Sequence, residues 1–316
     1  MSHESRTALL ALDNYVAIDT ETTGLDTRWC EIIEIAAVHI ESGATVGVFQ
    51  ELVKPEDYPI PEFITELTGI TNEMLENARS INDVIADYVA FVGDSPVVGQ
   101  NVSFDLRFLE HAIDLAGLPA YHPDACDIMR LSRMYYPELE HHRLKDTVAR
   151  CGKDADMPSF GKAHRAQADA EMTAWCYEVL KKKLVDQYGN DPETEYRRQK
   201  LHEAYMADKA YLEDLTPTVD HIDEGNPFYG AGICFTGKLS GMTRRQAWQH
   251  AVNLGATPLK TVTKKTDYLV VGALDFSANI KGDKSAKLAR AEELLASRGT
   301  PEIVSEDFFL QFVVRG

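Results

Sequence analysis

The sequence predicts two α/β domains joined by a polar segment, and three observations carry that expectation. Apolar runs of strand length alternate with amphipathic helical stretches from Tyr15 to residue 185, and the alternation restarts at Tyr229. Between them, residues 186–225 are polar, mostly acidic and almost without apolar periodicity, as in a partly helical linker. The charge also changes sign. Residues 226–316 hold 12 Lys+Arg and 8 Asp+Glu, a net +4, whereas the remainder holds 20 and 42, a net −22, which together give the −18 of the 316-residue chain. The expected divisions are therefore 1–185, 186–225 and 226–316.

Within the first domain, "YVAIDT", "EIIEIAAVHI" and "ATVGVFQELV" read as three strands in meander order, with turns at Gly24 and Ser42-Gly43. "KPEDYPIP" breaks the pattern. Helices follow at 61–68, at 71–77 opened by Thr71, and at 80–93 opened by Ser80. "PVVGQN" is a short buried strand, and "FDLRFLEHAIDLAG" an amphipathic helix ending at Gly117. A strand near 123–127 and helices near 128–135, 143–151 and 166–185 complete the domain. In the last third, "GICFTG", "DYLVVG" and "EIV" read as strands alternating with helices 243–254, 285–297 and 305–313, the pattern of a small domain with a parallel sheet.

Composition narrows the function classes. The hydrophobic fraction of 44% and charged fraction of 26% fit a soluble globular protein. The opening "MSHESRTALLALDNYVAID" has an apolar run too short for a signal peptide, and no stretch approaches membrane-spanning length, so a cytoplasmic location without a membrane partner is expected. Five scattered cysteines, with no C-x-x-C, disfavour a disulfide scaffold or a zinc site. A body this acidic repels phosphate backbones, so any handling of nucleic acid needs metal ions that locally invert the sign.

Three blocks concentrate chemistry. In "YVAIDTETTGLD", Asp19 and Glu21 stand two apart on a strand and so project to the same face. Two bare carboxylates raise each other's pKa, a cost that a divalent cation removes; Mg²⁺ in particular binds through a few carboxylates plus substrate oxygens. Alone, the pair also fits a strand end reaching solvent. "GQNVSFDLRFLEH" places Asp105 at a helix start after a buried strand, between Phe104 and Phe108, which fit either base stacking or plain core packing. "GKAHRAQADAEMTAW" sets His164 five residues before Asp169, on the approach to a helix that fixes the acid.

Taken together, in this order and at these separations, "DTETTGLD", "NVSFDLRFL" and "HRAQAD" resemble the three motifs of the DEDDh 3′–5′ exonucleases, over about residues 12–183. The H-x4-D spacing fits the histidine branch. The resemblance implies a ribonuclease H-like domain with a mixed sheet, in which Asp19, Glu21, Asp105 and Asp169 hold two Mg²⁺ or Mn²⁺ ions. His164 then takes the proton of the attacking water, a task that suits an imidazole. It further implies that Thr22, Thr23, Leu25, Asn101 and Phe104 line a pocket for the 3′ end of a single-stranded or frayed DNA strand, Leu25 as a wedge, with release of nucleoside 5′-monophosphates in proofreading or repair. An RNA-trimming enzyme and an inactive binding adaptor are the alternatives. Gln100 departs from the many relatives with His before the Asn.

"GICFTGK" has P-loop spacing, but Leu239 stands where Ser or Thr is needed and the intervening residues are strand-like, so nucleotide binding is rejected. Instead "FTGKLSGMTRRQAWQHAVNLGA", "VTKKTDYLVVG" and "SAKLARAEEL" resemble the BRCT domains of bacterial DNA ligases, over 226–316. That resemblance implies a phosphate site of Thr236, Gly237, Arg244 and Lys287, and a partner that is either a 5′-phosphorylated DNA end or a repair or replication protein.

Overall fold

A computed structural model describes residues 12–57, 59–153, 155–272 and 285–313. The ends of the two expected domains, 1–11 and 314–316, and the stretch 273–284 lie outside the described residues. The chain forms two compact units that divide after Arg198, within the polar segment.

The first unit is built on a six-stranded mixed sheet. Strands β1 (Asn14–Thr22), β2 (Ile32–Glu41) and β3 (Ala44–Lys54) form the antiparallel meander, turning through Ser42 and Gly43, both at positive φ. The two-residue β4 (Arg79–Ser80) extends the β3 edge in parallel, and β5 (Val97–Gly99) and β6 (Ala125–Asp127) add to the other side, giving the order β4-β3-β2-β1-β5-β6. β4 has no counterpart in the sequence reading, because two residues are too few to show a period.

Strand alternation divides the core in two. Tyr15 and Ala17 of β1, with Ala36, Val38 and Ile40 of β2, pack beneath the helix over 166–188. Val16 and Ile18 face the other way, against the helices over 81–92 and 103–115. The helices, in chain order, are α1 (Glu62–Thr68), α2 (Asn72–Leu75), α3 (Ile81–Val92), α4 (Ser103–Leu115), α5 (Ile128–Tyr135), α6 (Leu144–Cys151) and α7 (Ala166–Tyr188). Hydroxyl and carboxylate caps open three of them: Thr71 accepts from Met74 N, Ser80 from Asp83 N and Asp127 from Met129 N.

Helix α8 (Pro192–Glu213) occupies much of the polar segment, and its later part belongs to the second unit. There Tyr211 and Leu212 pack on that unit's core, while Lys260 sits 4.2 Å from the Tyr205 ring and 3.2 Å from Asp208. These contacts use isolated aromatic and charged residues, which hydrophobic periodicity does not detect.

The second unit has an all-parallel sheet in the order β10-β9-β7-β8, from β7 (Gly232–Thr236), β8 (Thr257–Leu259), β9 (Tyr268–Val271) and β10 (Glu302–Ser305). The sequence shows three of these strands. β8 escapes because it is short and carries Pro258, which an edge strand tolerates. Helices α9 (Arg244–Asn253), α10 (Ala286–Arg298) and α11 (Glu306–Val313) surround the sheet. Thr243 and Gln246 close a reciprocal capping box on α9, and Phe228 is buried among the rings of Tyr268, Phe308, Phe309 and Phe312. No described helix is long and apolar enough to cross a membrane.

Candidate active site

The first unit gathers its acids at the C-terminal end of β1. Asp19 and Glu21 continue the face of Tyr15 and Ala17, so they look toward α7. Asp105 arrives from the opposite side on α4 and is nearly fully buried. Its Oδ1 accepts the Thr20 backbone N–H at 2.9 Å and the Thr20 hydroxyl at 2.7 Å, which moors the first turn of α4 to the strand between the two acids. The turn leading there is tight. A Cβ on Gly99 would lie 2.7 Å from Val102 Cγ2, and Asn101 follows at φ 57° with its N–H donated to Asp127. Asp169 comes from the first turn of α7, its N–H bonded to the Arg165 carbonyl.

Convergence shows in the electrostatics. Burial, then the charges of Asp105, Asp169 and Glu21, push the Asp19 carboxyl well above the usual range. Burial does the same to Glu21, raised to about 8, with Asp169, Glu34 and Asp105 adding to it. Asp105 is also raised, chiefly by burial, against the opposing hydrogen bonds from Thr20. Asp169 is raised by burial and partly relieved by His164. Asp19 and Glu21 are thus lifted by the acids around them and Asp105 and Asp169 by burial, so the four carboxylates form a site short of positive charge.

His164 lies before α7, exposed, at φ 61°. One ligand atom each from Glu21, His164 and Asp169 falls within 4.8 Å of the others, and Asp169 Oδ1 is buried with no hydrogen-bond partner among the described residues. An orphaned carboxylate oxygen beside two other donors fits a divalent cation by its chemistry.

The expected pocket residues are spread around this cluster. Thr22 donates its hydroxyl to the Gly24 carbonyl at 2.7 Å, and Thr23 accepts the Glu31 N–H at 2.9 Å, so both side chains shape the loop after β1. The β1–β2 register shifts between Glu21 and Thr22, a bulge that re-aims the strand end. Leu25 is 80% exposed on that loop. Phe104 is half-buried, 5.1 Å from the ring of Phe108, which is core, and the Arg107 guanidinium stands over it. Gln100 donates to the His142 carbonyl. Three residues that the sequence reading passes over also build the site. Thr20 and Asp127 hold Asp105 and Asn101, and Glu34 binds Arg165. The only sequence signal for Glu34 is a charge inside the apolar run "IIEIAAV".

In the second unit, Thr236, Gly237, Arg244 and Lys287 meet at the C-terminal end of β7. Thr236 is buried with its hydroxyl 2.9 Å from that of Ser285, and Gly237 turns the chain at φ 73°. Arg244 donates to the Gly237 carbonyl, and Lys287 donates to that of Phe235 at 2.9 Å. Burial holds the Lys287 ammonium below its ordinary range.

Comparison with known proteins places the first unit. The model of the family described as "Exonuclease" matches residues 16–177. DNA polymerase III PolC-type of Latilactobacillus sakei subsp. sakei (strain 23K) is 37% identical over 183 residues, 58% of this chain and 12% of that relative. DNA polymerase III subunit epsilon of Aquifex aeolicus (strain VF5) is 36% identical over 176 residues, 55% of this chain and 84% of the relative. The match thus spans a small fraction of the PolC-type proteins and most of the epsilon subunit. Among solved structures, exonuclease X in complex with 5′ overhanging duplex DNA aligns with 58% of this chain and 99% of its own, at 26% identity and a TM-score of 0.44. The nuclease domain of 3′hExo, a DEDDh family member bound to rAMP, aligns with 56% and 94%, at 21% identity and a TM-score of 0.44.

Proposed function

The chain belongs to the exonuclease family through residues 16–177, and we propose that it is a 3′–5′ exonuclease that removes nucleoside 5′-monophosphates from DNA 3′ ends. The observation that carries this reading is the meeting of Asp19, Glu21, Asp105 and Asp169, from three separate elements, next to an exposed histidine. The four acids would hold two Mg²⁺ or Mn²⁺ ions, which when bound stabilise the attacking and leaving oxygens of an in-line phosphoryl displacement. DNA is favoured over RNA because relatives at 36–37% identity are DNA polymerase III proteins.

The remaining work falls to the protein. His164 accepts the proton of the attacking water as the new phosphorus–oxygen bond forms and the bond to the upstream 3′ oxygen breaks; that oxygen takes a proton from solvent. Glu21 and the Thr22 N–H, at the strand bulge, receive the terminal 3′-hydroxyl. Leu25, Asn101 and Phe104 surround the last base, with Leu25 free to wedge beside it.

Digestion of 5′-labelled single-stranded DNA, duplex DNA and short RNA, each with Mg²⁺, Mn²⁺ or EDTA, tests the reading. Metal-dependent ladders one nucleotide apart on the single-stranded DNA support it. Preference for the RNA would turn the reading to RNA trimming, and silence on all three would leave a binding adaptor.

For the second unit, a BRCT-type module that brings the nuclease to a 5′-phosphorylated DNA end is the reading we favour. Its support is the parallel sheet and the cluster at the end of β7. Recruitment of that kind raises the local concentration of active site without new contacts. Reversing the charge of Lys287 is a poor probe, since Glu there would press a half-buried carboxylate on the Phe235 carbonyl. Lys287→Met keeps the stem and removes the ammonium. It is expected to shrink the preference for 5′-phosphorylated over 5′-hydroxyl duplex ends by about 10-fold, the worth of one charge-assisted hydrogen bond. Fluorescence anisotropy with both ends measures it, and an unchanged ratio removes the phosphate site.

A further inference from the structure

We infer that the ion pair between buried Glu34 and partly exposed Arg165 is a positioning device for His164; this rests on the exonuclease reading and adds two residues to its machinery. Glu34 lies directly opposite Glu21 in the β1–β2 register and is fully buried. It is a fifth carboxylate beside the four acids, yet both of its oxygens are already filled. Arg165 Nε and the Ala166 N–H donate to Oε2 at 3.1 and 3.0 Å, while Arg165 Nη2 and Gln50 Nε2 donate to Oε1 at 2.7 and 2.8 Å. An acid so occupied has no lone pair aimed at a cation. Its partner is the residue that follows His164.

The physical need is plain at the start of α7. Its first amides require acceptors, and Arg165, at the cap position, has no side-chain oxygen to offer. Glu34 supplies the acceptor from another strand. The guanidinium fork fixes Arg165 in two directions, as a lysine could not. His164 is thereby tethered on its C-terminal side, while residues 161–163 before it are exposed. A histidine at φ 61° persists only where its surroundings hold it, and such outliers gather at functional sites.

A double-mutant cycle separates positioning from general stability. Arg165→Met is expected to lower kcat by about 10- to 100-fold with KM nearly unchanged, the scale of a misplaced catalytic group. In a His164→Asn background the same substitution is expected to cost less than about twofold, since the group it positions is gone. In the metal-free protein, Arg165→Met and Glu34→Gln should speed amide hydrogen exchange at Ala166–Asp169 and spare the helix beyond Thr173. If Arg165→Met does not fold, Arg165→Lys and Glu34→Gln carry the same cycle. Losses that add fully in the His164→Asn background, or unchanged exchange in the first turn, overturn the positioning role. Absence of nuclease activity in the wild type would instead sink the exonuclease reading, and the exchange result would still report on the pair.

Discussion

Asp19→Ala is expected to lower mononucleotide release by about 10³-fold or more, the scale of losing one preorganised charge-stabilising group, and Asp19→Asn to make the metal-free protein more heat-stable. The two effects share a cause. Asp19 sits among Asp105, Asp169 and Glu21, and burial plus their charges disfavour its ionised form. Without cations the cluster is therefore a strain on the fold, and an uncharged side chain relieves it. Wild-type protein should gain several degrees in Tm on adding Mn²⁺, about 2–4 °C per kcal/mol in a domain of this size. Asp19→Asn should start higher in EDTA and gain little. A variant that melts lower than wild type in EDTA would mean that Asp19 serves the structure rather than a metal.

The pH dependence follows with a definite sign. Glu21 titrates near 4.3 when unfolded and at about 8 in the folded protein, so the native state binds more protons between those values. Its contribution is fully present below the unfolded pKa and is lost as pH rises through the folded one. Metal-free protein should accordingly melt lower at pH 8 than at pH 5, with the slope reduced in Asp19→Asn and in saturating Mn²⁺. Thermal scans in EDTA across that range decide it; a flat profile would show that burial and the neighbouring acids do not hold Glu21 protonated.

How much of this was readable beforehand depends on the range of each interaction. Asp19 and Glu21 share a face because a strand alternates, and the His164–Asp169 spacing is local, so both are visible in a few residues. The ties that make the site are not local. Thr20 reaches Asp105 across 85 positions and Arg165 reaches Glu34 across 131, and neither leaves a period in the sequence. Glu34 could have been suspected as a charge on the inward face of β2, since a buried acid calls for a partner; its partner could not have been named. The strands that escaped, β4 and β8, are two and three residues long and carry no alternation to read. In the second unit the residue types at the end of β7 were legible, but not that Arg244 and Lys287 already donate to carbonyls of their own chain.

His164→Asn is the cleanest separation of chemistry from fold, and its kcat is expected to fall by about 10²- to 10⁴-fold, the range for removing a general base. The choice of Asn follows from the backbone. At φ 61° most side chains meet a steric cost of roughly 1–2 kcal/mol, whereas Asn enters the left-handed region readily. His164→Ala would mix lost chemistry with added strain; His164→Asn keeps the turn and removes only the proton acceptor. The residue is exposed, so Tm should stay within about a degree of wild type. Its distance to Glu21 and Asp169 offers a second role, since one ligand atom from each of the three falls within 4.8 Å of the others. A cation ligand and a general base respond differently to substitution. If His164 binds the metal, His164→Asn should raise the Mn²⁺ concentration needed for half-maximal activity and leave the saturated rate close to wild type. If it takes the proton, the saturated rate falls and the metal requirement stays where it was, and that second pattern is the one the exposed, strained position next to the Glu34–Arg165 tie leads us to expect.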